Sequence, residues 1–141
     1  MSGSHVLMAL LLSLGLLTAA DVSADPRRDA ILAELLAQAR KADPGFAGFS
    51  AERGAAFYRA THTGGKQGTA SCTSCHGSTP QGQGQTRAGK AIEPMAVSKN
   101  PARYTNKDDV EKWFTRNCND VLGRACTAKE KGDFLTYMMG Q

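Results

Sequence analysis

The chain has 141 residues, 17 Lys+Arg against 13 Asp+Glu, and a formal charge of +4. That length suits a single domain, and 41% hydrophobic residues suffice for one core. The cation excess is modest and comes with no basic run or interleaved aromatic platform, which excludes nucleic acid as a partner and leaves solvated charge able to steer an acidic redox partner.

In chain order, Val6 to Leu17 is almost wholly apolar and is followed by small residues, with Val22-Ser23-Ala24 as a cleavage site before Asp25 and Thr18-Ala19-Ala20 as a second. The stretch is shorter than the roughly 20 residues that span a bilayer. Residues 1–24 therefore read as a signal peptide and 25–141 as the exported domain, with no stable membrane insertion after cleavage. Met1 to His5 contains no Lys or Arg, so an uncleaved anchor is the alternative. Both readings put the domain in the periplasm, an oxidising compartment.

Asp25-Pro26 predicts a helix start, an N-cap followed by proline at the first helical position. Ile31, Leu32, Leu35, Leu36 and Ala39 form its apolar stripe, and Asp43-Pro44-Gly45 ends it. A second short helix is expected after Ser50, carrying Phe57 and Tyr58, with Gly54 open to close approach by another helix.

Cys72-Thr73-Ser74-Cys75-His76 then spells C-x-x-C-H, the attachment signature of a c-type haem. Two thiols three positions apart can add to the two vinyl groups of one porphyrin edge, and the adjacent imidazole becomes the proximal axial ligand. The competing readings are a thioredoxin-like dithiol and half of a zinc site. The first lacks a βαβ context and the second lacks a further Cys/His pair. The expected cofactor is thus one covalent haem c held by Cys72, Cys75 and His76.

From Gly77 to Thr105 no element is predicted, and a bound haem is expected to order this long segment in place of a protein core. Within it, Arg87 and Lys90 are either propionate contacts or solvated charges. A third helix is expected from Lys107 to about Asn117, capped by Thr105 or Asn106, with Asp108 and Asp109 favourable at its positive end. The capping box Thr127-x-x-Glu130 opens a fourth, with Phe134, Leu135 and Met138 on its buried face. No strand is predicted, so the fold class is all-α. With Cys72 and Cys75 committed to haem, Cys118 and Cys126 are expected to form a disulfide.

The sixth iron ligand is open at this level. Met95 follows a proline beyond the attachment motif, and a thioether there gives a plain electron-transfer cytochrome c. His62 lies near the motif in a Gly-rich stretch. Asn117 shares a helical face with Val110, Trp113 and Phe114, and there it either bonds backbone at the helix end or faces the iron.

Gly64-Gly65-Lys66, Ser71 through Gly77, Gly84 through Lys90, Val110-Glu111-Lys112-Trp113 and Arg116-Asn117-Cys118-Asn119 closely resemble the sphaeroides haem protein family, from about Ala51 to Gln141. The resemblance implies a small class I cytochrome c fold with His76 proximal and Asn117 distal to ferric haem. A Cys118–Cys126 disulfide beside the distal ligand is implied as well. In the related cytochrome c-double-prime a histidine stands where Asn117 does, so this chain is of the asparagine type. Met95, where an apolar residue is expected, departs from the pattern. The resemblance further implies ferrous binding of oxygen and nitric oxide, with electrons from a dihaem cytochrome c and a membrane cytochrome b. A neutral amide oxygen is a hard, weak donor that ferrous iron holds poorly, so reduction is expected to release Asn117. The alternatives are an enzyme turning over nitric oxide, oxygen or peroxide on the same iron, and a carrier ligated by Met95.

Overall fold

The structure, a computed structural model, describes residues 25–141; the expected signal peptide lies outside the described residues. Among the described residues five helices carry the fold: α1 Pro26–Ala42, α2 Ala51–Arg59, α3 Thr73–His76, α4 Lys107–Leu122 and α5 Ala128–Met139. None of them is long and apolar enough to cross a membrane.

The helices start where the sequence places capping oxygens. Asp25 accepts from the Arg27 amide, Ser50 from Arg53 and Asn106 from Asp109, while Thr127 and Glu130 form the reciprocal capping box. α5 is the central element and packs against both α1 and α2. Its Phe134, Leu135 and Met138 are buried as expected, and they meet Ile31 and Leu35 of α1 and Tyr58 of α2 in one core. Edge-on ring contacts tie Phe134 to Tyr104 and Phe114 at centroid separations of 6.4 and 5.5 Å.

Two local features fix the α2–α5 crossing. A Cβ on Gly54 would lie 2.0 Å from the Asp133 carbonyl oxygen, so the helices touch backbone to backbone only because this residue is glycine. Beside it, Arg53 grips the buried Asp133 carboxylate with Nε at 2.8 Å and a terminal nitrogen at 2.7 Å, while the Ser50 amide donates to the same group at 2.7 Å.

The segment from Gly77 to Thr105 departs from expectation in two ways. First, Gly84–Gln85 (β1) and Ala91–Ile92 (β2) form a short antiparallel hairpin with Gly84 opposite Ile92. Its signal is in the turn: Gly89 takes φ +81°, and the Thr86 amide and hydroxyl both bond Lys90. Strands of two residues show no alternation to read. Second, the segment has a protein core of its own. Pro80, Met95, Ala96 and Val97 are buried, the Pro80 carbonyl accepts from the Met95 and Ala96 amides, and Val97 donates to Met138. Arg103 reaches back to the Glu93 and Pro94 carbonyls, and Arg28 of α1 binds the carbonyls of Pro101 and Arg103. The order of this segment therefore does not by itself call for a cofactor.

α4 also runs past its expected end. Val121 is buried one turn beyond Asn117 and extends the apolar stripe, and the helix stops only at Gly123, which takes φ +70° as the C-cap. Cys118 on α4 and Cys126 before α5 are disulfide-bonded, as expected. The bridge closes a loop with a sequence separation of 8. Reducing it, or changing both cysteines to alanine, is expected to lower the unfolding free energy by about 2–3 kcal/mol in the chain-entropy account. Chemical denaturation of both forms measures this; equal midpoints would show that the bridge does not restrict the unfolded chain.

Candidate haem site

The attachment motif forms a single turn of helix. The amides of Cys75 and His76 donate to the Cys72 carbonyl at 3.3 and 3.1 Å, and Gly77 ends the turn at φ +75°. This winding brings Cys72 and Cys75 to one side of the turn with His76 directly after them. Both thiols are free and partly buried.

Tyr58 holds the turn in place. Its fully buried hydroxyl lies 2.7 Å from the Gly77 carbonyl and 3.2 Å from that of His76, and its own carbonyl accepts from the Ser71 hydroxyl. Burial pushes the Tyr58 phenol well above its ordinary range. It is therefore a permanent donor that ties α2 to the motif. On the far side Gly84 abuts the motif, since a Cβ there would lie 2.3 Å from the Cys75 carbonyl oxygen. Neither contact was legible in the sequence, where Tyr58 reads only as an aromatic carried by the second helix.

Burial shifts Cys72 and His76. It pushes the Cys72 thiol up to about 11. A redox dithiol needs the opposite shift, because its thiolate is the nucleophile, so the burial of Cys72 weighs against the thioredoxin-like reading. His76 is lowered to about 4, first by burial and then by the Arg103 cation. Its imidazole is neutral at ordinary pH, the form that ligates metal, and its buried Nδ1 has no hydrogen-bond partner among the described residues. Two free thiols one turn apart beside a buried neutral imidazole fit a covalent haem c. Among the described residues no group of three or more His, Cys, Asp or Glu comes together as an all-protein metal site.

α4 reaches the same region, since Cys72, Val110 and Phe114 belong to one apolar cluster. Along α4, Val110, Cys118 and Val121 are buried, while Trp113 and Asn117 flank that stripe and are exposed, Trp113 by 49%. Asn117 is thus neither in the core nor at the helix end, and its amide makes no hydrogen bond among the described residues. Of the other ligand candidates, Met95 is buried in the core cluster, its carbonyl accepting from the Tyr104 hydroxyl at 2.9 Å. His62 lies edge-on to Phe57, with a centroid separation of 5.6 Å and a buried Nε2 that has no hydrogen-bond partner among the described residues. Arg87 bonds the Gln67 carbonyl, and Lys90 is exposed. A surface cleft of about 590 Å³ between α3 and β1 is lined by Ser74, Cys75, Gln83 and Arg87 among others. His76 and Asn117 do not line it.

The family described as Domain of unknown function (DUF1924) matches residues 44–138, which include the whole site. Cytochrome c-type protein SHP of Cereibacter sphaeroides is 53% identical over 91 residues, 64% of this chain and 70% of that protein. The structure of oxidised SHP, described as an oxygen-binding cytochrome c, superposes with a TM-score of 0.75 at 46% identity, covering 81% of this chain and 96% of that one. The solution structure of Methylophilus methylotrophus cytochrome c'', described for haem-ligand detachment, gives 0.70 at 32% identity over 82% and 94% of the two chains. At 53% identity to SHP and with the all-α fold matched, the chain belongs to the sphaeroides haem protein family and is a monohaem cytochrome c that carries haem c covalently.

Proposed function

We propose that this is a periplasmic, redox-gated haem protein that binds small diatomics, oxygen or nitric oxide, in its ferrous state and exchanges electrons with a partner cytochrome. A dihaem cytochrome c and a membrane cytochrome b are the partner classes. When bound, the haem iron would supply a redox centre that also takes small ligands. Cys72 and Cys75 would anchor the porphyrin, and His76 would offer its neutral imidazole to the iron. Asn117 would offer it an amide oxygen.

The observation that carries this reading is the state of the Asn117 amide. It is exposed on the flank of α4, free of hydrogen bonds among the described residues, and next in sequence to the disulfide-bonded Cys118. A fixed backbone with an uncommitted side chain suits a ligand that must come on and off. Met95, by contrast, is engaged in the core. The Asn117 amide oxygen is a hard donor that would suit ferric iron and be poorly held by the softer ferrous iron. Once released, its NH₂ can donate a hydrogen bond to a diatomic. The relatives support the direction, one being described as oxygen-binding and one for haem-ligand detachment.

Optical and resonance Raman spectra of the variants test this. Asn117→Val is expected to open ferric iron to water or azide and to leave carbon monoxide binding by the ferrous protein intact. Met95→Leu is expected to alter neither spectrum. Loss of a sulfur-ligated low-spin state in Met95→Leu, with Asn117→Val unchanged, would establish the electron carrier instead.

A further inference from the structure

Residues 62–70 form a closed loop between α2 and the attachment motif. Its neck is the His62 amide donating to the Ala70 carbonyl at 2.7 Å. The body of the loop lies on the last turns of α4: a Cβ on Gly65 would sit 2.2 Å from the Asp120 carbonyl oxygen, and one on Gly64 equally close to that of Leu122. α4 ends at Leu122, so the Asp120 carbonyl has no acceptor role left within the helix. The loop fills it, with the Lys66 amide at 2.7 Å and the Thr69 hydroxyl at 2.7 Å.

Thr69 is one of the few buried polar residues, 6% exposed in an otherwise solvated loop. Its hydroxyl has one proton and two carbonyls in reach, Asp120 and, at 2.8 Å, Lys66. That proton fastens the loop to α4. Thr69 stands three residues before Cys72, and Asp120 three residues after Asn117, less than one helical turn away. The hydroxyl therefore joins the chain entering the attachment turn to the helix that presents the amide.

We propose that Thr69 is a positioning residue for the distal ligand: by locking loop 62–70 to the end of α4, it holds Asn117 within reach of the iron. The inference rests on the reading of Asn117 as the distal ligand. The Cys118–Cys126 bridge and the Lys66–Asp120 ion pair tether this helix end, and the backbone contacts with the buried hydroxyl set its rotation, so that a side chain on its flank keeps its place. Without the hydroxyl, α4 is freer to turn and Asn117 competes less well with an added ligand.

The test is azide titration of the ferric holoprotein in wild type, Thr69→Ser, Thr69→Val, Asn117→Val and the Thr69→Val/Asn117→Val double variant, each with a thermal melt. Thr69→Val keeps the volume and loses the donor, and it is expected to bind azide about fivefold more tightly, the factor set by the net contribution of one hydrogen bond. Thr69→Ser should match wild type. In the Asn117→Val background the Thr69→Val effect should vanish, because no amide is left to position. A lowered melting point with unchanged azide affinity would make Thr69 merely structural, and a fivefold effect persisting in the double variant would likewise overturn the proposal. If Asn117→Val itself binds azide like wild type, the distal-ligand reading fails, and this inference with it. Should Thr69→Val not accumulate, Thr69→Ala removes the same proton and is read the same way.

Discussion

Changing both Cys72 and Cys75 to alanine is expected to abolish covalent haem altogether. In the unaltered protein, haem stain should travel with the polypeptide on denaturing electrophoresis and resist acid–acetone extraction. In the double variant both properties should be lost, even if some haem still binds through His76. The effect is all-or-none because nothing replaces the two thioether bonds: the other two cysteines are consumed in the Cys118–Cys126 bridge. The chemistry also fits the state of the thiols. Cys72, with its pKa pushed up to about 11 by burial, stays a protonated thiol before haem is added. It is therefore poorly disposed to react with other disulfides, which protects a residue reserved for attachment. Extraction of haem from the unaltered protein would refute the assignment.

Gly54→Ala is expected to lower stability strongly. The added methyl would lie 2.0 Å from the Asp133 carbonyl oxygen, 2.6 Å from its carbon and 2.8 Å from Tyr137 Cβ. Two of those atoms are backbone, so the clash is relieved only by moving α2 away from α5. A cost of about 3 kcal/mol follows from the overpacking range. Helix propensity alone acts the other way, favouring alanine over glycine by about 1 kcal/mol. The sign of the change in denaturation midpoint thus decides between packing and propensity. A second readout should move with it, since α2 carries Tyr58, whose hydroxyl holds the Gly77 carbonyl at the attachment turn. Gly54→Ala is expected to disturb the haem spectrum, whereas Ala56→Val on the exposed face of α2 should not. A stabilised Gly54→Ala variant would show that the helix contact yields more readily than backbone packing allows.

Much of the molecule was written in short stretches of chain. The attachment turn needs only five consecutive residues, because the spacing of its thiols and imidazole follows from one helical turn. The caps at Asp25, Ser50, Asn106 and Thr127 are equally local, each side chain serving an amide two or three residues on. The Cys118–Cys126 pairing followed from having two cysteines left over. Gly54 could be singled out as a site of close approach because its only virtue in a helix is the absence of a side chain.

What the sequence left open depends on contacts between distant residues. The end of α4 was misplaced because the buried environment of Val121 and the αL turn at Gly123 outweighed the break suggested at Asn117. That shift moved Asn117 from a helix terminus to an exposed interior position. The β1–β2 hairpin is too short to have a period, and the 77–105 segment draws its order from Arg28 of α1 and from its own Arg103 and Tyr104, whose backbone partners no spacing rule identifies. The hydroxyls of Tyr58 and Thr69 act across separations of 19 and 51 residues. Local pattern thus determined which groups can bond haem. Only the tertiary structure decided how the chain carries them, because hydrogen bonds between remote backbone segments have no period in the sequence.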